Sequence, residues 1–280
     1  MFGIIIKSMK IILISLMLMH GAALFADSGL RITVQENSTG LTITGSTGRA
    51  NTLTIPETID GRNVTEIGDG AFIGKGLREV QIPDTVTVIG SGAFSYNRLQ
   101  TVTIGNNVTT IGRSAFTSNR LVNVTLGSGV VTIGKGAFSS NMIESITLPD
   151  TVTTIDDYAF FSNRLRTIEI PASVTLIGEG AFSGNRFTTV TVGSGVTVIR
   201  NGAFYNNFIT SITIPSSLQT LGDRAFDSRS SDGRIRENVV YTDTSGNVLY
   251  TTANSFDAYY ASNGSRPGRY VLLDGNWSME

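Results

Sequence analysis

Cysteine is absent from this 280-residue sequence, and its single histidine, His20, lies within the first 26 residues. Without thiolates there is no disulfide, no cysteine nucleophile and no zinc site of the usual kind. Without imidazoles after residue 20 there is neither the commonest general base nor the commonest metal ligand. The sequence also lacks a nucleotide-binding loop and a catalytic triad. We therefore expect a non-enzymatic protein with no cofactor, no metal and no small-molecule substrate.

Basic residues are few and are not clustered in runs. The chain has 21 Lys and Arg against 22 Asp and Glu, and only Lys75 and Lys135 are lysines beyond residue 26. Removal of residues 1–26 takes away two lysines, so the charge becomes 19 minus 22, or -3. A net acidic chain without basic runs argues against a nucleic-acid partner.

One hydrophobic run stands out, near the N-terminus. Lys7 and Lys10 precede the apolar residues 11–19, and the small-residue stretch GAALFA follows. This order is typical of a signal peptide, and the run is short for a membrane span. We predict a signal peptide over 1–26 with cleavage after Ala26, and hence an exported protein that is periplasmic, on the cell surface or secreted. An uncleaved N-terminal anchor is the alternative.

The remainder of the chain repeats. An Ala-Phe pair recurs at intervals of 22 residues, with its alanine at Ala71, Ala93, Ala115, Ala137, Ala159, Ala181, Ala203 and Ala225. A fixed period of this length is the mark of a stacked array, in which each unit buries its apolar face only against its neighbours.

Each repeat has the pattern of one coil of a solenoid. The motif Leu-x-x-Val-x-Ile, as in Leu99, Val102 and Ile104, has the alternation of a half-buried strand. A Pro or Gly then ends the strand, and a second apolar pair such as Val108 and Ile111 follows. We expect a strand, a turn, a shorter extended piece and a tight helical turn around Ala-Phe. The predicted fold is a mainly β solenoid of about eight coils with a parallel sheet.

Asparagine stands four residues after the alanine in six coils. A stacked row of amides can satisfy turn N–H and C=O groups that no sheet reaches. We therefore predict a structural ladder, because a catalytic row would lack partner chemistry. The ladder residues are Asn97, Asn119, Asn141, Asn163, Asn185 and Asn207.

The combined pattern LxxVxIPxxVTxIGxxAFxxN resembles the BspA-type (treponemal) leucine-rich repeat family, found in surface and exported proteins of spirochaetes and other host-associated bacteria. The resemblance covers residues 53–226. It implies a non-enzymatic solenoid used for adhesion or protein–protein interaction. Many members carry Cys at the ladder position, where this chain has Asn.

The two ends differ from the array. We divide the chain into a signal peptide (1–26), an N-terminal cap with an atypical first coil (27–61), the solenoid (62–226) and a C-terminal cap (227–280). Within the last segment we predict a hairpin around residues 245–247, a short helix over 255–264 and a second turn at residues 274–275. Solenoid ends need such covers because they expose apolar surface and sheet edges.

Three surfaces are candidates for a partner. The outer face of the main strands is rich in Thr and Ser and is a weak candidate, because it lacks the aromatic and Arg anchors of tight interfaces. An arginine stripe is either a solvated edge or a contact for anions or a partner; it consists of Arg98, Arg120, Arg164 and Arg186. Aromatic residues replace the usual small or charged residues at Tyr158, Phe161, Tyr205 and Phe208. These are either one lateral patch or scattered rings.

The sequence also contains a pair of adjacent carboxylates. Asp156 and Asp157 are adjacent, with Asp150 nearby, but no set of ligands surrounds them, so neither glycoside hydrolysis nor calcium binding is favoured. Two functions remain. The first is attachment to a protein partner or a host matrix component, and the second is a structural, self-associating role in the cell envelope.

Overall fold

The computed structural model describes residues 29–226 except residue 210, together with the backbone of five short strands outside that range. The described residues form 22 strands and no helix. The predicted helix over 255–264 lies outside the described residues, as does most of the predicted signal peptide. The described residues also contain no helix of the length and apolarity that a membrane span requires.

The N-terminal strands cover the first coil. The strands β1 (Ala22–Leu24), β2 (Arg31–Glu36) and β3 (Leu41–Thr47) pair antiparallel in that order. β4 (Thr52–Thr54), β5 (Thr58–Ile59) and β6 (Arg62–Ile67) follow. The extra residues of this first unit form a hairpin of β5 and β6, in which Asp60 and Gly61 both have positive φ, as a two-residue hairpin turn requires.

Each typical coil contributes a strand of three residues and a strand of two. Two coils lack the longer strand, as described below. In chain order the strands are β7 (Glu79–Gln81), β8 (Val88–Ile89), β9 (Thr101–Thr103), β10 (Thr110–Ile111), β11 (Asn123–Thr125), β12 (Thr132–Ile133), β13 (Thr154–Ile155), β14 (Leu176–Ile177), β15 (Thr189–Thr191), β16 (Val198–Ile199), β17 (Ser211–Thr213) and β18 (Thr220–Leu221).

The two-residue strands make the continuous wall of the solenoid. They pair in parallel and in register from β8 to β18, and the longer strands β6 and β3 extend the same sheet toward the N-terminus. Equivalent residues of successive coils face each other, as in Ile111 with Ile133. The predicted parallel stacking of 22-residue coils is therefore confirmed.

The three-residue strands make a wall that is interrupted. β4, β7, β9 and β11 form one sheet, and β15, β17, β19 (Val240–Thr242) and β20 (Val248–Leu249) form another. Between them, residues 145–147 and 167–169 form no strand, and a single bridge joins Glu169 to Thr191. A cleft of about 880 Å³ opens there, bordered by Val124, Ile146 and Ile168. The sequence does not predict this cleft, since the two coils that contain residues 145–147 and 167–169 keep the alternation of apolar residues that is typical of a strand.

The core consists of columns of equivalent side chains. The phenylalanines of the Ala-Phe pairs, Phe72 to Phe226, are at most 1% exposed. Their rings stack face to face through all eight coils, with neighbouring centroids 5.1–5.4 Å apart. Burial of one such ring stabilises the fold by about 1.5–3 kcal/mol. The alanines beside them are equally buried, which leaves no room for a larger side chain.

The segment around Ala-Phe differs from the predicted helical turn. It consists of tight turns, such as Ala93 N–H to Gly90 O and Ser95 N–H to Gly92 O. In this coil Gly92 and Tyr96, which flank the segment, have φ of 62° and 57°, so the chain reverses twice instead of winding into a helix. Its alternate amides bond to the next coil, as Phe94 N–H does to Ala115 O at 2.8 Å.

The described strands beyond residue 226 agree with the predicted turns. β19 pairs antiparallel with β20, which confirms the hairpin around residues 245–247. β21 (Tyr270–Leu273) and β22 (Asn276–Met279) pair antiparallel on either side of residues 274–275. β19 also pairs in parallel with β17, so the C-terminal segment continues the sheet of three-residue strands.

Candidate functional site

The six ladder asparagines are buried and join successive coils. Asn97 illustrates the arrangement: its Oδ1 accepts from Leu77 N–H of the preceding coil at 3.1 Å. Its Nδ2 donates to Phe72 O of that coil at 2.7 Å and to Phe94 O of its own coil at 2.9 Å. The same three bonds recur at Asn119, Asn141, Asn163, Asn185 and Asn207. The ladder amides therefore serve to connect backbone groups of neighbouring coils.

The arginine stripe runs beside the ladder. Arg98, Arg120 and Arg186 are exposed, while Arg164 is half-buried. None of the four forms an ion pair within the described part of the chain. Their backbone amides bond to the preceding coil, as Arg98 N–H does to Leu77 O at 2.8 Å, so the stripe is held in register by the solenoid.

We call Tyr158, Phe161, Tyr205 and Phe208 the aromatic flank. Phe161 is 39% exposed and Phe208 36% exposed, whereas the two tyrosines are half-buried. The Tyr158 and Phe161 rings meet edge to face at 5.9 Å. Tyr158 and Tyr205 line one shallow pocket of about 300 Å³. Phe208 lies on the same coil as Tyr205, at the register of the arginine stripe.

The tyrosines of the aromatic flank are tied to neighbouring charges. The Tyr158 hydroxyl donates to the Glu179 carboxylate, and this bond, with partial burial, raises the pKa of the phenol. The guanidinium carbon of Arg224 lies 4.6 Å from the centroid of the Tyr205 ring. Because each tyrosine has such a partner, the two phenylalanines are the more accessible members of the flank.

Asp157 is the centre of a cross-coil ion pair. Its carboxylate lies 3.2 Å from both Lys135 Nζ and Arg200 Nη1, and it accepts from Glu179 N–H at 2.9 Å. Partial burial would raise the pKa of this carboxyl. The hydrogen bonds from Glu179 and the two cations outweigh burial and hold the pKa of Asp157 below its ordinary value. Its role is to link neighbouring coils.

The described residues offer no metal site built on side chains. No group of three or more His, Cys, Asp or Glu residues lies close enough to hold an ion in that part of the chain. Asp156, the neighbour of Asp157, accepts from the Asp157 amide at 2.7 Å. The adjacent carboxylates thus belong to a turn and an ion pair.

Sequence reasoning missed one prominent exposed ring. Tyr96 is 65% exposed, more than either flank phenylalanine. It stands three residues after its alanine, where the other coils have Gly, Ser or Asn. The comparison that singled out Phe161, an aromatic residue at a register of small residues, also identifies Tyr96. Ile73 and Val122 are further exposed apolar residues that the sequence analysis did not name.

Several bacterial proteins of known structure are similar to this chain. A leucine rich cell surface protein from Faecalibacterium prausnitzii is 26% identical, with 78% of each chain covered and a TM-score of 0.41. A leucine-rich repeat protein from Bacteroides ovatus is 23% identical over 78% of this chain and 70% of its own, with a TM-score of 0.46. The Treponema pallidum leucine rich repeat protein is 20% identical over 69% of this chain and 83% of its own, with a TM-score of 0.43.

A comparison with curated proteins gave no match. The family profile described as BspA type leucine rich repeat region matches six copies, over residues 47–165 and 153–255. These residues span most of the chain and include every coil of the solenoid. The chain therefore belongs to the BspA-type leucine-rich repeat family.

Proposed function

We propose that this chain is an exported, non-enzymatic attachment protein that binds a protein partner or a host matrix component through the aromatic flank. Membership of the family supports an interaction or surface role. The observation that carries the assignment to the flank is the exposure of Phe161 and Phe208, at registers where other coils use small or charged residues.

These two rings contribute little to the array itself. The register of Phe161 carries Ser or Thr in four other coils, and the register of Phe208 carries Arg in four. The core column is complete without them, since each coil already has its buried phenylalanine. Exposed aromatic residues that stability does not require are typical of interaction surfaces.

The test replaces each ring by the residue of its sibling coils, Phe161→Ser together with Phe208→Arg. Binding of the purified protein to immobilised collagen, laminin and fibronectin is measured by biolayer interferometry. We expect at least one to bind, and the double variant to lose about tenfold or more in affinity with an unchanged melting temperature. Ile73→Ser is the matched control, because Ile73 stands at the register of Phe161 and is 48% exposed, but lies in the first coil.

Two results would overturn this proposal. Equal losses of affinity in the Ile73→Ser control and in the double variant would show that the aromatic flank does not contact the bound protein. Absence of binding to all three probes, combined with a concentration-dependent oligomer in sedimentation that the double variant dissolves, would favour the self-associating envelope protein instead.

A further inference from the structure

A different surface lies at the N-terminal end of the array, where residues 49–52 meet the turns of the first coils. It is an open groove of about 840 Å³. We name it the basic groove and define it by Arg49, Lys75, Tyr96, Arg98 and Arg120. Four of these five are cations, and no carboxylate of the described chain lines the groove.

The stacking of coils brings these cations together. Arg98 and Arg120 occupy the same register in successive coils, so their backbones are about 4.8 Å apart. Lys75 stands in the first coil where the next has Asn97, so a cation replaces the first amide of the ladder. Three positive side chains therefore follow one another along the solenoid axis, whereas the chain as a whole has a net charge of -1.

The opposite side of the groove is held by backbone hydrogen bonds. Ala50 N–H donates to Lys75 O at 3.4 Å, and Asn51 O accepts from Arg78 N–H at 2.6 Å. These bonds fix the chain before β4 against the first coil and place Arg49 beside the other cations. The groove is thus formed in advance, which lowers the ordering cost of binding.

Among the residues that the structure describes, no ion pair neutralises the charges of the groove. The ion pairs that the structure describes involve Arg62, Lys135 and Arg200, none of which lines the groove. Four cations in one concave surface attract anions and raise their local concentration.

We propose that the basic groove binds a sulfated polysaccharide chain. Arginine presents planar, paired donors that match oxyanions, and a linear polyanion can meet Lys75, Arg98 and Arg120 in turn. Tyr96, 65% exposed, offers a ring on which the apolar face of a sugar can pack. Asn51, Thr52 and Ser118 supply polar groups for sugar hydroxyls.

The lining distinguishes this occupant from a protein segment. Apart from Ala50 and the Tyr96 ring, the groove presents only polar residues and glycines, so it has no apolar pocket for a side-chain anchor. A single exposed ring also falls short of the successive stacking platforms that single-stranded nucleic acid uses. The basic groove shares no residue with the aromatic flank.

The test measures binding of the purified protein to a heparin dodecasaccharide by isothermal titration calorimetry. The same oligosaccharide without sulfate, a single-stranded oligonucleotide and polyglutamate of similar charge serve as competing probes. We expect heparin to bind more tightly than the other probes. Its affinity should fall as the salt concentration rises, since counterions are released on binding. Arg98→Ser with Arg120→Ser is expected to lower heparin affinity by about tenfold or more, because two charge-assisted contacts are lost.

Arg164→Ser with Arg186→Ser is the matched control, because it removes two arginines of the same register outside the groove. Affinity in this control within about twofold of the unaltered protein supports the groove. Equal losses of heparin affinity in the two double variants would overturn the proposal. Tighter binding of the oligonucleotide or of polyglutamate than of heparin would overturn it as well. Because the aromatic flank is unchanged in these variants, the outcome is independent of the proposed attachment function.

Discussion

At the scale of single residues, position within the 22-residue unit decides the environment. Phe94 and Phe182 are both fully buried, eighty-eight residues apart, because each occupies the same place in its coil. The exceptions carry what differs between coils: Phe161 stands where Ser95 and Thr117 stand in other coils, and its ring is 39% exposed. A residue that departs from its column is therefore the one to examine for a specific role.

The asparagine ladder gives the clearest prediction at this scale. Asn141→Ala removes an acceptor for Leu121 N–H and donors to Phe116 O and Phe138 O, all of them buried. We expect a loss of about 1–3 kcal/mol in the free energy of unfolding, because these backbone groups are left without partners. Urea denaturation measures it. Thr125→Ala, at an exposed strand position, serves as the control, and equal midpoints for the two variants would refute the structural role of the ladder.

At the scale of elements, the two walls of the solenoid differ in continuity. The two-residue strands pair without a break from β8 to β18, although each is short. The three-residue strands, with the stronger strand pattern, are divided at residues 145–147 and 167–169. The column of buried phenylalanines and the asparagine ladder continue through the opening, so coil stacking does not depend on this sheet alone.

The interruption predicts a local difference in hydrogen exchange. Backbone amides of residues 143–149 are expected to exchange about tenfold or more faster than those of the equivalent residues 99–105, because fewer of them lie in a sheet ladder. Deuterium uptake of the two peptides, followed by mass spectrometry, measures this difference. The paired strand β13 of the same unit should exchange as slowly as β10. Equal protection of residues 143–149 and 99–105 would mean that the wall is continuous in solution.

At the scale of the whole molecule, the solenoid is a sum of equivalent units. Each described coil contacts the coil before it and the coil after it through strands, phenylalanine rings and asparagine bonds. Such an array has no single centre on which the rest depends. Its length can therefore change by whole units while the register of every remaining column is kept.

Deletion of one coil tests this view. Removal of residues 113–134 joins Gly112 to Lys135, so each remaining column keeps its order, and we expect a folded, soluble protein. Removal of 11 residues, 113–123, brings strand positions to where turns belong and is expected to prevent folding of the array. Circular dichroism and thermal melting compare the two proteins. If the 11-residue deletion melts as cooperatively as the 22-residue deletion, the coil cannot be the structural unit.

The period, the register and the buried phenylalanine column follow from the amino-acid sequence alone. The Ala-Phe pairs, the Leu-x-x-Val-x-Ile motif and the position of each asparagine are local patterns, and stacking repeats the same local environment in every coil. The surface residues Phe161 and Phe208 could be named for the same reason, because they depart from their columns.

Contacts between non-equivalent positions of different coils become visible only in the folded protein. The ion pair of Asp157 with Arg200 joins residues 43 positions apart, and the basic groove forms because residues 49–52 lie beside Lys75 and Arg98. The break in one wall likewise follows from how coils approach one another. Every coil carries the same repeat pattern. The pattern therefore cannot specify between which coils the wall is interrupted or which charged side chains form ion pairs.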